Sequence, residues 1–186
     1  MDFLRTLSLL EARFAAQGVA YALIGGFAMA LRGVQRMTAD LDFLVMLEDL
    51  LQAEAIFAEL GYRRVFHSEN VSHYAGENAE LGRVDVLHAF RGPSLGMLQR
   101  AELLPVTPEV SVRVAQVEDL IGLKVQALSN NPARALGDWH DVYMLVQAAG
   151  ATDQSLDWDL LGEYLDLFGQ EARLGELRAL YDGKES

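Results

Sequence analysis

The stretch from Tyr21 to Val45, YALIGGFAMALRGVQRMTADLDFLV, decides the fold of this chain. It predicts a short apolar strand over residues 21–24, a diglycine turn, and an amphipathic helix that ends near Gly33. A polar turn follows, and a second strand begins at Asp40. Strand, helix and strand in this order are typical of the start of an α/β domain.

Two aspartates begin the second strand. Because side chains alternate between the faces of a strand, Asp40 and Asp42 point to one face while Leu41 and Phe43 point into the core. The two carboxylates are roughly 7 Å apart along the strand and repel each other. Mg²⁺ removes such repulsion and is commonly held by one or two carboxylates together with substrate phosphates. The pattern therefore indicates a metal-binding pair, with a solvated strand edge or a turn cap as the alternative.

Gly25 and Gly26 stand where the first strand passes into the helix. Glycines there let backbone N–H groups approach a ligand closely, and a helix N-terminus favours phosphate. A diglycine by itself is more often an ordinary tight turn. Together with the carboxylate pair beyond the helix, it suggests a site for a nucleoside triphosphate (NTP) and Mg²⁺.

Composition narrows the class of protein. The 186 residues are 51% hydrophobic, which permits a full core in one domain, or in one domain with a helical appendage. The net charge of −12 argues against a broad electrostatic grip on nucleic acid, but not against a few local arginine contacts or a basic protein partner. No cysteine is present and no run approaches the roughly 20 apolar residues of a membrane span, so we expect a cytoplasmic protein.

The rest of the chain predicts a mixed α/β region followed by helices. The predicted helices are 2–17, 48–60 and 93–102, and the predicted strands are 62–67, 71–75, 82–90 and a proline-broken segment over 104–114. From residue 117 onward only helices are predicted, over 117–130, 134–149, 156–169 and 171–181. We therefore expect a small mixed β-sheet with flanking helices in residues 1–115 and a helical C-terminal subdomain in residues 116–186.

Three charged residues interrupt apolar patterns. Asp85 lies within an apolar strand, where a charge is costly unless it binds a metal or pairs, for example with Arg83. Lys124 has apolar neighbours three and four residues away on its helix, so its ammonium either snorkels to water or reaches a triphosphate in a cleft. Asp141 is bordered by apolar residues in the next helix.

The four histidines show no metal-ligand spacing. His67 and His73 flank the predicted hairpin turn and can meet across it, but an ordinary polar strand face explains them better. The sequence contains no Walker loop, Gly-x-Ser-x-Gly elbow or His-Glu-x-x-His motif, so nucleophilic serine chemistry has no support.

With GGFAMALRGVQRMTADLDFLV, VDV and LKVQAL…RALGDWHDVYML in view, the chain resembles the polymerase-β-like nucleotidyltransferase superfamily. Within it, the chain is most similar to the minimal AbiEii/AbiGii-type toxins. The family signature is a glycine followed by Gly or Ser, then Asp-x-Asp, with a third acid on a later strand. Two positions depart from the pattern: Gly26 replaces a common serine, and Gly137 stands where relatives often carry lysine.

The resemblance implies a role for each matching residue. It implies that Asp40, Asp42, Asp85 and Lys124 are catalytic, that the three aspartates bind Mg²⁺ or Mn²⁺, and that Gly25, Gly26, Arg36, Thr38, Lys124 and Asp141 contact the nucleotide. The implied reaction moves a nucleoside monophosphate from an NTP to an acceptor hydroxyl, on RNA such as tRNA or on protein, with an antitoxin as a partner. The alternative is a catalytically weak or inactive member that serves as a regulatory or protein-binding module.

Overall fold

The computed structural model describes residues 2–183 and confirms the α/β fold. The elements in chain order are α1 (Phe3–Gln17), β1 (Tyr21–Ile24), α2 (Gly25–Leu31), β2 (Asp40–Met46), α3 (Leu50–Glu59), β3 (Tyr62–His67), β4 (Val71–Gly76), β5 (Arg83–Ala89), α4 (Gly92–Arg100), β6 (Glu102–Pro105), β7 (Ser111–Val114), α5 (Val117–Asn130), α6 (Ala135–Ala151), α7 (Trp158–Leu167) and α8 (Leu174–Tyr181). Short 3-10 turns over Leu47–Asp49, Pro132–Arg134 and Glu171–Arg173 precede α3, α6 and α8. No helix in this part of the chain has the length and apolar character needed to cross a membrane.

One mixed sheet carries all the strands named above, in the order β3-β4-β5-β2-β1-β7-β6. The pairs β2–β5 and β1–β7 are parallel, and the remaining pairs are antiparallel. The segment predicted as one proline-broken strand forms the hairpin of β6 and β7. Parallel pairing needs a crossover connection, and here the chain returns to pair β5 beside β2 and β7 beside β1.

The chain divides into two compact units. The first contains residues up to Leu31 together with Arg36–Ala115, and thus the whole sheet. The second contains Arg32–Gln35 and the residues from Gln116 onward, and is helical.

An aromatic cluster fills one side of the sheet. The ring of Phe14 on α1 packs against Tyr21, Phe43 and Phe57, with centroid distances of 5.0, 5.8 and 5.8 Å. The same helix is capped at its N-terminus by Asp2, whose side chain accepts a hydrogen bond from the Arg5 backbone N–H, and at its C-terminus by the left-handed Gly18. Burial of these rings on β1, β2 and α3 fixes which face of the sheet points inward.

The helical unit buries two acids in the first turn of α5. Glu118 accepts a hydrogen bond from the backbone N–H of Asp157 at 2.6 Å, and Asp119 accepts one from the Tyr164 hydroxyl at 2.8 Å. Gly122 leaves room for the Tyr164 ring, because a Cβ there would lie 2.8 Å from two ring carbons. These contacts attach α7 to α5 and supply partners for carboxyl groups that would otherwise be costly to bury.

A hydrogen-bonded chain on the inner face connects β3, β4 and β5. His88 donates from Nδ1 to the Glu69 carbonyl (2.8 Å), so its Nε2 accepts from the Ser72 hydroxyl (3.0 Å), which in turn accepts from His67 Nδ1 (2.8 Å). His88 and Ser72 are buried. Burial lowers the pKa of His88 below its usual value, because a protonated imidazole is poorly solvated there.

This arrangement predicts a pH dependence of folding stability. With its pKa lowered in the folded state, His88 takes up a proton more readily when unfolded, so the free energy of unfolding should fall as the pH drops below about 6.5. One such group gives a slope of at most about 1.4 kcal/mol per pH unit. Urea titrations between pH 5 and 8 on wild type and His88→Gln should show a smaller slope in the variant. His140→Gln, which removes an exposed histidine, is the control. Equal slopes in all three proteins would contradict the assignment.

Candidate active site

One row of residues crosses four strands on the face opposite the aromatic cluster. In the register of the sheet, Asp42 on β2 lies between Ile24 on β1 and Asp85 on β5, and Asp85 lies beside His73 on β4. Neighbouring strands are about 4.8 Å apart, and residues in register share a face. The two aspartates that the sequence places in different strands are therefore direct neighbours.

Asp40 lies one pleat away from this row, on the same face. Its neighbour in register is Arg83, so an opposite charge stands beside it. The Thr38 hydroxyl lies 3.1 Å from the backbone oxygen and 3.3 Å from Oδ1 of Asp40, and donates a hydrogen bond to this residue. Thr38 thus fixes the start of β2, while Arg36 lies exposed two residues earlier.

Gly25 is required at the end of β1 for two reasons. Its φ is +66°, a left-handed conformation that favours glycine, and a Cβ there would overlap the Asp42 carboxyl group. The Asp42 side chain therefore packs against the diglycine turn itself.

Gly26 faces Thr38. A Cβ at position 26 would lie 2.9 Å from both Cβ and Oγ1 of Thr38, which is too close for a side chain without a shift. The Thr38 side chain therefore occupies the space that a side chain at position 26 would need.

Asp85 pairs mainly with His73. His73 Nδ1 lies 2.7 Å from Asp85 Oδ1, whereas Arg83 Nη2 lies 4.0 Å away on a side chain that is 60% exposed. From the sequence, His73 is interpreted as part of an ordinary polar strand face, and Arg83 is offered as the partner of Asp85. The interpretation of His73 misses its contact with Asp85. Strand alternation already separates His73 from Ser72, but only the pairing of β4 with β5 places it beside Asp85.

The donor set fits a divalent cation held partly by substrate. Within residues 2–183, no three His, Asp or Glu side chains form a ready-made metal cluster. Mg²⁺, however, is commonly held by one or two carboxylates plus phosphate oxygens, and Asp42 and Asp85 are carboxylates in register on one face. The residues present therefore suit Mg²⁺ or Mn²⁺ bound with a nucleotide. Convergence of all three carboxyl groups on one ion stays a prediction.

Lys124 belongs to a nearly buried ion cluster in the helical unit. Its Nζ lies 3.1 Å from Asp138 Oδ1 and 2.6 Å from Asp141 Oδ2, and its side chain is only 14% exposed. Arg134 contributes a second cation, with Nε 3.0 Å from Asp138 Oδ2. Burial raises the pKa of Asp138, but the hydrogen bonds and charges of Arg134 and Lys124 outweigh it and leave that pKa below its usual value.

These contacts explain both residues that the sequence singles out in this unit. Lys124 neither snorkels to water through an apolar stripe nor stands alone, because two carboxylates of α6 surround its ammonium group. The acid at position 141, which has apolar chain neighbours, is accounted for by this ion pair. The assignment of either residue to the nucleotide stays a prediction.

Comparison with known proteins identifies the class, which is nucleotidyltransferase. Residues 1–181 match the family described as "Uncharacterised nucleotidyltransferase", and the chain belongs to that family. The predicted enzyme class is thereby confirmed, while the toxin type is a finer assignment that the match does not reach. No curated protein matches the chain.

Solved structures share the fold at low sequence identity. ANT(2")-Ia in complex with adenylyl-2"-tobramycin has a TM-score of 0.67 at 15% identity, over 90% of this chain and 99% of that one. An antigenic nucleotidyltransferase-like protein from Paracoccidioides brasiliensis has 0.60 at 15%, over 98% and 93%. The lincomycin-bound lincosamide antibiotic adenylyltransferase LnuA has 0.52 at 16%, over 76% and 94%.

The Gly25 contact predicts a specific intolerance. Gly25→Ala should lower the free energy of unfolding by at least about 1–2 kcal/mol, since alanine is strained at a positive φ and its methyl group displaces Asp42. Gly137→Ala is the control: a Cβ there meets nothing within 4 Å, and alanine in a helix should add about 0.5–1 kcal/mol. Urea unfolding of both variants measures the difference. Similar effects of the two substitutions would contradict the close approach of Gly25 to the Asp42 carboxyl group.

The ion cluster predicts that Lys124→Met is strongly destabilising. It leaves Asp138 and Asp141, whose side chains are 4% and 6% exposed, without their shared cation, which should cost about 3–5 kcal/mol. Arg134→Met removes the other cation near Asp138, but that side chain is 55% exposed and should contribute no more than about 1 kcal/mol. Denaturation curves for both variants provide the test, and equal losses would show that the buried pair is not special.

Proposed function

We propose that this protein transfers a nucleoside monophosphate from an NTP to a hydroxyl group of an acceptor and releases pyrophosphate, with Mg²⁺ or Mn²⁺ as the metal. The observation that carries the proposal is the register of β2 and β5, which sets Asp42 directly beside Asp85 in a member of a nucleotidyltransferase family. A purely structural sheet gains nothing from two neighbouring carboxylates on one face, because like charges repel.

Asp40, Asp42 and Asp85 are the residues that hold the metal. When bound, the metal supplies charge neutralisation at the phosphates and makes the attacking hydroxyl more acidic. The protein's own part is positioning. Thr38 fixes Asp40 through its hydroxyl, and the absence of a side chain at Gly25 keeps the Asp42 carboxyl group close to the turn. Phosphoryl transfer depends largely on such positioning and on electrostatic stabilisation.

The nucleotide contacts are assigned to the segment around the acids. Gly25 and Gly26 offer backbone rather than side-chain contacts to phosphate, since position 26 has no room for a serine hydroxyl beside Thr38. Arg36 stands exposed between α2 and β2, where its guanidinium group can pair with a phosphate. Lys124 and Asp141 stay in the proposal as nucleotide contacts through the helical unit, on the family resemblance alone.

Small hydroxylated molecules are the acceptors we favour. The fold relatives include proteins named for an adenylylated aminoglycoside and for a lincosamide antibiotic. The net charge of −12 opposes long-range attraction of RNA. RNA such as tRNA, protein acceptors and a toxin role with an antitoxin partner are therefore alternatives to be tested beside small molecules. We expect the reaction to take place in the cytoplasm, where NTPs are available.

A transfer assay tests the reaction. Each α-labelled NTP is incubated with Mg²⁺ and, separately, with total RNA, with protein, and with tobramycin and lincomycin as small-molecule probes, and label transfer and pyrophosphate are measured. Asp42→Asn should abolish both signals. Mg²⁺ or Mn²⁺ should raise the melting temperature of the wild type, because the metal binds only the folded state, and Asp42→Asn should abolish this rise as well. Asp166→Asn, which changes an exposed acid of α7, is the control and should behave as the wild type.

The same assay, together with a calorimetric titration of the protein with NTP, separates the enzyme from the inactive binding module. A wild-type protein that binds no NTP by calorimetry and releases no pyrophosphate would contradict the proposed reaction and favour the module. A melting temperature that still rises with metal in Asp42→Asn would place the metal elsewhere.

A further inference from the structure

We propose that His73 is a positioning residue for this reaction: it holds Asp85 by one carboxylate oxygen and leaves the other for the metal. The inference rests on the proposed function and adds a residue that the three-aspartate signature does not contain.

The contact itself is short and one-sided. His73 Nδ1 donates to Asp85 Oδ1 at 2.7 Å, and the more distant Arg83 also approaches Oδ1. Among the described residues, the contacts of the Asp85 carboxyl group thus fall on a single oxygen.

The environment of the pair suits a positioning role. The side chains of His73 and Asp85 are 29% and 21% exposed, so both are largely shielded while the face remains reachable. They are partners in the β4–β5 register, so the backbone of two paired strands fixes their separation. The Arg83 guanidinium group cannot replace this contact, because at 4.0 Å and 60% exposure it is a weak, salt-screened partner.

A β-bulge supplies the packing that orients the histidine. The β3–β4 register shifts between Arg64 and Phe66, so that Phe66 rather than Val65 stands opposite His73. The ring centroids of Phe66 and His73 are 5.2 Å apart, with 33° between the planes. Bulges often re-aim a side chain beside a functional site, and this one exchanges an aliphatic neighbour for a ring that restricts the imidazole.

Metal-binding chemistry gives the expected size of the effect. A carboxylate that ligates a metal is usually held by a hydrogen bond, and loss of such an outer partner typically costs about 10–100-fold in metal affinity or activity.

The test compares four variants. His73→Leu removes the donor and retains apolar bulk, and His73→Asn places an amide N–H donor near the position of Nδ1. Phe66→Ala removes the packing ring, and Val65→Ala is its matched control, because the two side chains are 50% and 46% exposed on the same strand. For each variant we measure Mn²⁺ affinity by electron paramagnetic resonance with and without a non-hydrolysable ATP analogue. We also measure kcat and KM for pyrophosphate release from ATP with water as the acceptor.

We expect His73→Leu to weaken Mn²⁺ binding about 10–100-fold and to lower kcat with little change in the KM for ATP. His73→Asn should restore the Mn²⁺ affinity and kcat to within a few-fold of wild type. A histidine with a merely structural role would not require a hydrogen-bond donor for these two values. Phe66→Ala should give a smaller loss, and Val65→Ala none. If His73→Leu does not fold, the contrast between Phe66→Ala and Val65→Ala, together with the Asn variant, still decides the question.

The outcomes distinguish the two proposals. Wild-type Mn²⁺ affinity and kcat in folded His73→Leu, or equal effects at positions 65 and 66, would overturn the positioning role while the transferase stands. A wild-type protein that binds Mn²⁺ in a His73-dependent way but never acts on ATP or another NTP would overturn the proposed reaction and keep the positioning role. Binding of neither Mn²⁺ nor ATP would overturn both.

Discussion

The register between β2 and β5 is the constraint on which the rest of the site depends. It sets two carboxylates side by side on neighbouring parallel strands, where like charges destabilise a sheet. A slip of one residue would turn Asp42 to the inner face and Phe43 to the outer one. The buried side chains of Leu41, Phe43 and Val45 and of the facing β5 residues prevent that slip, because exposing them is costly. Hydrophobic burial on one face thus fixes the position of charge on the other.

Each acid on the site face has a different support. A hydroxyl and an arginine neighbour stand beside Asp40, the diglycine turn lies against Asp42, and an imidazole holds Asp85. Among the contacts described, neither Asp40 nor Asp85 uses both of its carboxylate oxygens. In the helical unit, buried carboxylates are neutralised differently. Asp138 and Asp141, both nearly buried, share the ammonium group of Lys124. The first arrangement leaves carboxylate oxygens for a ligand, whereas the second neutralises its charges with one another.

The fold and the family answer different questions. The solved structures named above share at most 16% identity with this chain, so their similarity establishes the architecture alone. The match of residues 1–181 to the family establishes the enzyme class. The chemistry must then be argued from the site, since one fold hosts many functions. In this chain the site residues include His73 beside Asp85, a histidine that the three-aspartate signature does not contain.

The sequence by itself determined the order of helices and strands and the common face of Asp40 and Asp42, because periodicity and alternation are local properties of the chain. It also identified the apolar strand that Asp85 interrupts. Only the tertiary structure decided that Asp85 stands beside Asp42 and His73, and that Lys124 meets two acids of the next helix. Strand pairing and helix packing join residues far apart in the chain, and no local pattern records that register. The bulge in β3 is an example. One extra residue in the strand reverses the faces that alternation predicts, so that Phe66 rather than Val65 stands opposite His73.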